Sequence, residues 1–116
     1  MNWRKYYGQT FLTDLRIARK IIESSEIKSF EDVCEMGTGK GILIPYLCQN
    51  AKFVKSFEVD YKLYNRIKLL QSKFNNLEII NKDILKYTDP LNFDVFVSNI
   101  PYSKSKEILL WLATKK

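Results

Sequence analysis

Residues 33–41 read Val33-Cys34-Glu35-Met36-Gly37-Thr38-Gly39-Lys40-Gly41. A short apolar run breaks into alternating glycines, and helix-compatible residues follow as far as Cys48. This is the pattern of a strand that ends in a tight turn and hands the chain to a helix. Glycine serves where a backbone turns sharply or must approach a ligand closely. In open α/β sheets, ligands bind outside the carboxyl ends of the strands, which is where this turn falls. Two phosphate-binding patterns fail on particular residues. A dinucleotide fingerprint needs a third glycine where Ile42 stands, and a P-loop needs Ser or Thr where Gly41 follows Lys40. An E-x-G-x-G-x-G pattern remains, alongside the plain reading of a tight strand–helix turn.

Outward from this turn, strands and helices alternate. The spacing predicts a helix from about Gly41 through Cys48 and a second strand over Lys55–Val59. A second helix is expected over Tyr61–Phe74, with Leu63, Ile67, Leu70 and Phe74 as its buried stripe. Leu77–Ile80 reads as a third strand and Phe93–Ser98 as a fourth. Ser103 or Ser105 is placed to cap a last helix carrying Ile108, Leu109 and Leu112. Upstream, Thr13 is an N-cap candidate for a helix over Asp14–Ser24, with Leu15, Ala18, Ile21 and Ile22 on one face. The first ten residues are aromatic and basic. The alternation predicts an α/β sandwich with a mostly parallel sheet, the first half of a doubly wound fold. A half-sheet of this kind leaves an open edge, so the chain is expected to be a truncated piece of a longer enzyme, ending after the fourth strand and its helix.

Composition narrows the chemistry. The chain has 116 residues, at most one small domain, and is 46% hydrophobic, enough for a core. Cys34 and Cys48 are too few for a disulfide framework and read as buried thiols. With no histidine, the serine–histidine and cysteine–histidine nucleophile systems and all histidine-containing zinc sites are excluded, and no metal is expected. No apolar run approaches the roughly 20 residues of a membrane span, and Met1–Tyr7 lacks the apolar core of a secretion signal, so a cytoplasmic protein is expected. The net charge of +6 suits a polyanionic partner and equally a lysine-rich solvated surface.

Two acids follow the glycine turn at the ends of successive strands. Glu58, in Phe57-Glu58-Val59-Asp60, lies about 20 residues beyond the glycines, where a carboxylate can accept both hydroxyls of a ribose. Asp83, in Lys82-Asp83-Ile84-Leu85, can accept an adenine amino group, or can simply cap a turn. With Glu35, these acids converge on one crevice. The fourth strand runs into Ser98-Asn99-Ile100-Pro101-Tyr102. An exocyclic adenine amine is a poor nucleophile, because its lone pair is delocalised into the ring. The Asn99 amide oxygen and a neighbouring backbone carbonyl can accept its two N–H bonds. Pro101 keeps those acceptors aimed, and Tyr102 offers a face on which an extruded base stacks. The bland reading is an Asn-Pro type turn with an inward aromatic.

Taken together, Gly8-Gln9-Thr10-Phe11-Leu12, Glu35–Gly41, Phe57–Asp60, Lys82–Leu85 and Ser98–Tyr102 occur in the order and spacing of the rRNA adenine N6-methyltransferases. The chain resembles that family, which includes KsgA-type small-subunit rRNA dimethyltransferases and Erm resistance methylases, over nearly its whole length. The resemblance implies a Rossmann-like class I methyltransferase fold, a three-layer sandwich, with residues 1–116 its amino-terminal part. It implies S-adenosylmethionine as cofactor and ribosomal RNA, in a small-subunit precursor, as partner of a monomeric enzyme. It places Gln9, Thr10, Leu12, Glu35, Gly37, Gly39, Glu58, Asp83, Ile84 and Asn99 at the cofactor. Asn99, Pro101 and Tyr102 fall at the target adenine. Thr10 stands where the family usually has Asn, and Lys82 where many members have Gly. The alternatives are an Erm-like large-subunit methylase and a non-catalytic RNA- or DNA-binding factor on the same scaffold. A DNA-adenine or protein-glutamine methyltransferase would more often show a second proline in place of Ile100. The remaining sheet and a helical C-terminal domain of the family are absent from the chain, so little turnover is expected of it alone.

Overall fold

A computed structural model describes residues 4–8, 23, 26–99 and 105–114. Its elements are β1 (Arg4–Gly8), β2 (Asp32–Met36), α1 (Ile44–Asn50), β3 (Phe53–Phe57), α2 (Tyr61–Ile67), β4 (Leu77–Ile80), β5 (Val95–Asn99) and α3 (Ser105–Ala113). Short 3₁₀ turns cover Lys68–Ser72 and Ile84–Lys86. The strands form one parallel sheet in the order β1-β5-β2-β3-β4. This is the α/β sheet the sequence predicts, with one strand more. Arg4–Gly8 pairs with the outer edge of β5. Its Arg-Lys-Tyr-Tyr-Gly composition carries no apolar run, and edge strands tolerate charge because one side lacks a partner. The helix expected over 14–24 lies outside the described residues.

Alternation sorts the side chains into two cores, one on each face of the sheet. Val33, Val54, Ile79, Val95 and Val97 pack on Leu43, Ile44, Leu47 and Ile67 of the α1 and α2 layer. Cys34, Phe57 and Phe96 pack on Ile84, Leu91, Phe93 and Leu112 of the other layer. Trp111 of α3 lies stacked on Phe93, with ring centroids 6.1 Å apart. Each of these large apolar side chains contributes roughly 1.5–3 kcal/mol when fully buried.

Several boundaries shift, each for a local reason. The first helix begins at Ile44 rather than Gly41, because Gly41 has a φ of 78° and Pro45 opens the first turn. An added Cβ on Gly41 would come 2.9 Å from Leu70 Cδ1, so the helix layer closes directly over this glycine. The second helix is α-helical only to Ile67 and then tightens to 3₁₀, a usual way of ending a helix. Ile67 is buried, whereas Leu63, Leu70 and Phe74 of the expected stripe are half-buried. The Gln71 carboxamide oxygen accepts the Ile79 N–H at 2.7 Å and so occupies a donor of the edge strand β4. Strand β3 lies two residues earlier than expected, which leaves Glu58 and Val59 beyond its end. Strand β5 starts at Val95, because Asp94 is spent on Asp32: its carboxylate accepts the Asp32 N–H at 2.9 Å, and its own N–H donates to the Asp32 carbonyl.

Both cysteines are buried free thiols. Burial, followed by the charge of Glu35, pushes the Cys48 thiol up to about 12. Since the thiolate is the reactive form, a disulfide reagent at neutral pH should modify Cys34 and Cys48 on the order of 100-fold more slowly in the native chain than in urea. Fast labelling without denaturant would contradict this packing. Among the described residues no helix is long and apolar enough to cross a membrane.

Candidate functional site

The carboxyl ends of β2, β3 and β4 lie side by side in the sheet order, and the chain is stitched together there. The glycine turn follows β2. Gly37, Gly39 and Gly41 have φ values of 89°, 58° and 78°, a region where residues with side chains are strained. The Gly37 and Thr38 N–H groups both donate to the Phe57 carbonyl, at 2.9 and 3.3 Å. The Gly39 N–H donates to Glu58 Oε1 at 2.8 Å. Glu58 Oε2 accepts the Asp60 N–H at 2.9 Å. Glu58 is therefore anchored at both oxygens, buried to 6% exposure, and poised at the end of β3. Each carboxylate oxygen retains a lone pair, so the group can still accept hydroxyls from a ligand. Its N–H donates to the Ile80 carbonyl, and Asn81 Nδ2 donates to the Glu58 carbonyl at 2.7 Å, which ties in β4.

Asp83 takes the capping geometry that the sequence left open. It is N-cap of the 3₁₀ turn, and its Oδ1 accepts the Leu85 N–H at 3.0 Å. Ile84 buries its side chain in the second core, at 1% exposure. As first residue of a helical turn, its N–H has no partner within that turn. An acceptor on Asp83 and a backbone donor on Ile84 thus sit side by side.

Glu35 faces the core rather than solvent. It is 0% exposed, in register with Ser56 on β3 and Val97 on β5. Ser56 Oγ donates to Glu35 Oε1 at 2.5 Å and also meets Thr38 Oγ1 in a short hydrogen bond. Glu35 Oε2 has no hydrogen-bond partner among the described residues. Burial, moderated by the Ser56 hydrogen bond and reinforced by the charge of Glu58, raises this carboxyl from 4.5 to about 8. Burial therefore favours the protonated form of Glu35 in the folded chain.

Asn99 ends β5, next to β2 in the sheet, with its backbone in register with Gly8. Because β1 and β5 are parallel, Gly8, which precedes Gln9, lies at the same carboxyl end as Asn99. Gln9, Thr10, Leu12, Pro101 and Tyr102 lie outside the described residues. The structure thus brings Gly39 and Glu58 into direct contact, ties Gly37 to the neighbouring Phe57 carbonyl, and ranges Asp83, Ile84 and Asn99 along the same sheet end. Sequence reasoning missed Thr38, Ser56 and Asn81, which hold the acids and the turn. A serine at an inward position opposite an inward glutamate was the available signal. It also missed Val59, an apolar side chain left 69% exposed directly after Glu58. Among the described residues no group of histidine, cysteine, aspartate and glutamate side chains is arranged to hold a metal.

A parallel sheet with this turn and these strand-end acids defines a class I methyltransferase fold. Solved structures support that class. The chain superposes on the 23S rRNA methyltransferase ErmE with a TM-score of 0.79 and 32% identity, over 88% of this chain and 42% of that one. It superposes on a dimethyladenosine transferase from Plasmodium falciparum with a TM-score of 0.79 and 35% identity, over 90% of this chain and 38% of that one. A family model of ribosomal RNA adenine dimethylases matches residues 1–116, and the chain belongs to that family. It is 38% identical over 118 aligned residues to the ribosomal RNA small subunit methyltransferase A of Staphylococcus haemolyticus, covering 94% of this chain and 40% of the relative. The chain therefore spans about 40% of the length of this curated relative.

Proposed function

We propose that this chain carries the cofactor site of an enzyme that transfers methyl groups from S-adenosylmethionine to adenine N6 in ribosomal RNA. The observation that carries the reading is the Glu58 carboxylate. It is locked to the glycine turn through the Gly39 N–H and to its own strand end through the Asp60 N–H. Anchored this way, its remaining lone pairs are preorganised for the two hydroxyls of a ribose. Asp83 accepts the adenine amino group, the adjacent Ile84 N–H donates to the ring nitrogen beside it, and Val59 covers an apolar ring face. The positive-φ glycines let the backbone approach the methionine portion without a side chain intervening. The resemblance to the family assigns Gln9, Thr10 and Leu12 to the same cofactor.

S-adenosylmethionine supplies, when bound, a methyl group on a good leaving group. The rest of the work falls to positioning. The Asn99 amide oxygen and a following backbone carbonyl accept the two N–H bonds of the target amine and favour a more tetrahedral nitrogen. Pro101 stiffens that backbone, and Tyr102 stacks on the extruded base. A basic chain, at +6, favours an RNA substrate whose unpaired bases can be splayed into the pocket. We place the target in the small-subunit rRNA and the enzyme in the cytoplasm where that RNA is assembled. The Asn99 constellation is what separates this reading from a pure RNA binder, which has no use for it.

Calorimetric titration of the chain with S-adenosylmethionine and, separately, with NAD tests the cofactor class. Binding of the methyl donor alone is the expected result, and binding of NAD alone would overturn it. Glu58→Ala should weaken that binding by about 100-fold, since it removes two charge-assisted hydrogen bonds. Unchanged affinity in this variant would remove Glu58 from the ribose.

A further inference from the structure

Ser56 makes none of the ligand contacts proposed above, yet its hydroxyl sits at the centre of the most buried polar cluster among the described residues. Ser56 is 0% exposed, Glu35 0% and Thr38 2%. A serine hydroxyl has one hydrogen. Ser56 therefore donates to one neighbour and accepts from the other: it meets Glu35 Oε1 at 2.5 Å and the Thr38 hydroxyl in a short hydrogen bond. The three groups form one continuous chain, from Thr38 through Ser56 to Glu35. Thr38 is the residue between Gly37 and Gly39, and the Gly39 N–H is what engages Glu58.

We propose that Ser56 is a positioning residue for cofactor binding, holding the glycine turn through Thr38 and anchored in turn by Glu35. Three points carry this. The three groups belong to two adjacent strands and the turn, so the chain of hydroxyls crosses from the sheet interior to the ligand loop. The turn needs such a tether, because three left-handed glycines leave its backbone with wide conformational freedom. Backbone bonds from Gly37 and Thr38 to Phe57 fix the start of the turn, and the Thr38 side chain fixes its middle. Glu35 is thereby a support for the turn from behind rather than a direct ligand contact. The inference rests on the cofactor reading above, because it takes the turn to be the ligand loop.

Two readouts separate the inference from that reading. One is amide hydrogen exchange of residues 37–41 in the chain without ligand. The other is affinity for S-adenosylhomocysteine. Ser56→Ala and Thr38→Val should each speed exchange in the turn by about 10-fold relative to the β2 and β3 amides, and weaken affinity by about 10-fold. The double variant should be little worse than either single, since both break one chain. Thr38→Ser, which keeps the hydroxyl, should recover most of what Thr38→Val loses, a result that packing alone would not produce. Turn exchange unchanged in both single variants, or fully additive losses in the double, would overturn the inference whatever the ligand does. Faster turn exchange in a chain with no affinity for S-adenosylhomocysteine would uphold the tether and overturn the cofactor reading.

Discussion

Glu35→Gln is expected to flatten the pH dependence of stability and to make the chain more resistant to urea at alkaline pH. The Glu35 carboxyl is raised from 4.5 to about 8, foremost by burial. The folded chain keeps a proton there that the unfolded chain releases. Stability is therefore fully retained below the unfolded value and is lost as pH rises from about 4.5 to about 8, by up to about 1.4 kcal/mol per unit. Across that window the loss is on the order of 5 kcal/mol, comparable to the whole stability of a small domain. Glutamine keeps the oxygen that accepts the Ser56 hydroxyl and cannot ionise. Its buried amide hydrogens have no evident acceptor, which costs about 1–3 kcal/mol at every pH. The two stability curves should cross, with wild type ahead near about pH 5 and the variant level or ahead near about pH 8–9. Urea midpoints across that range measure this. Parallel curves would mean that Glu35 does not hold the proton.

The second large effect concerns catalysis. In a protein carrying this chain at the full length of its relatives, Asn99→Ala should lower single-turnover methylation of rRNA by about 100- to 1,000-fold, the usual cost of removing one preorganised polar group from a transition state. Asn99 ends β5 beside β2, and its proposed role is to accept from the target amine. The rate should therefore fall by more than the cofactor affinity does, since Glu58, Asp83 and the glycine turn remain. Methyl incorporation at the wild-type rate would remove Asn99 from the chemistry. Equal losses in rate and in cofactor affinity would make it a cofactor contact instead.

Much of this was legible in the sequence, at the positions where local rules act. The short, mostly apolar runs Val33-Cys34-Glu35-Met36 and Leu77-Glu78-Ile79-Ile80 marked strands, because each strand is buried on at least one face. The glycine spacing announced the turn, because only glycine accepts three positive φ values so close together. Glu58 and Asp83 were found as strand-end acids. Their anchoring was not, because the Gly39 and Asp60 N–H groups that hold Glu58 become its neighbours only when β3 ends where it does.

By itself, then, the sequence determined the α/β class, the parallel alternation, the glycine turn and the identity of the acids at the strand ends. Those properties follow from side-chain period and backbone φ, which are local. Tertiary structure alone decided that Arg4–Gly8 is a fifth strand, because an edge strand takes its definition from its partner β5. It likewise decided that Glu35 is a fully buried acid tied to Ser56 and, through it, to Thr38. Burial and hydrogen bonding between residues 18 and 21 positions apart exist only once β2 and β3 pair in register.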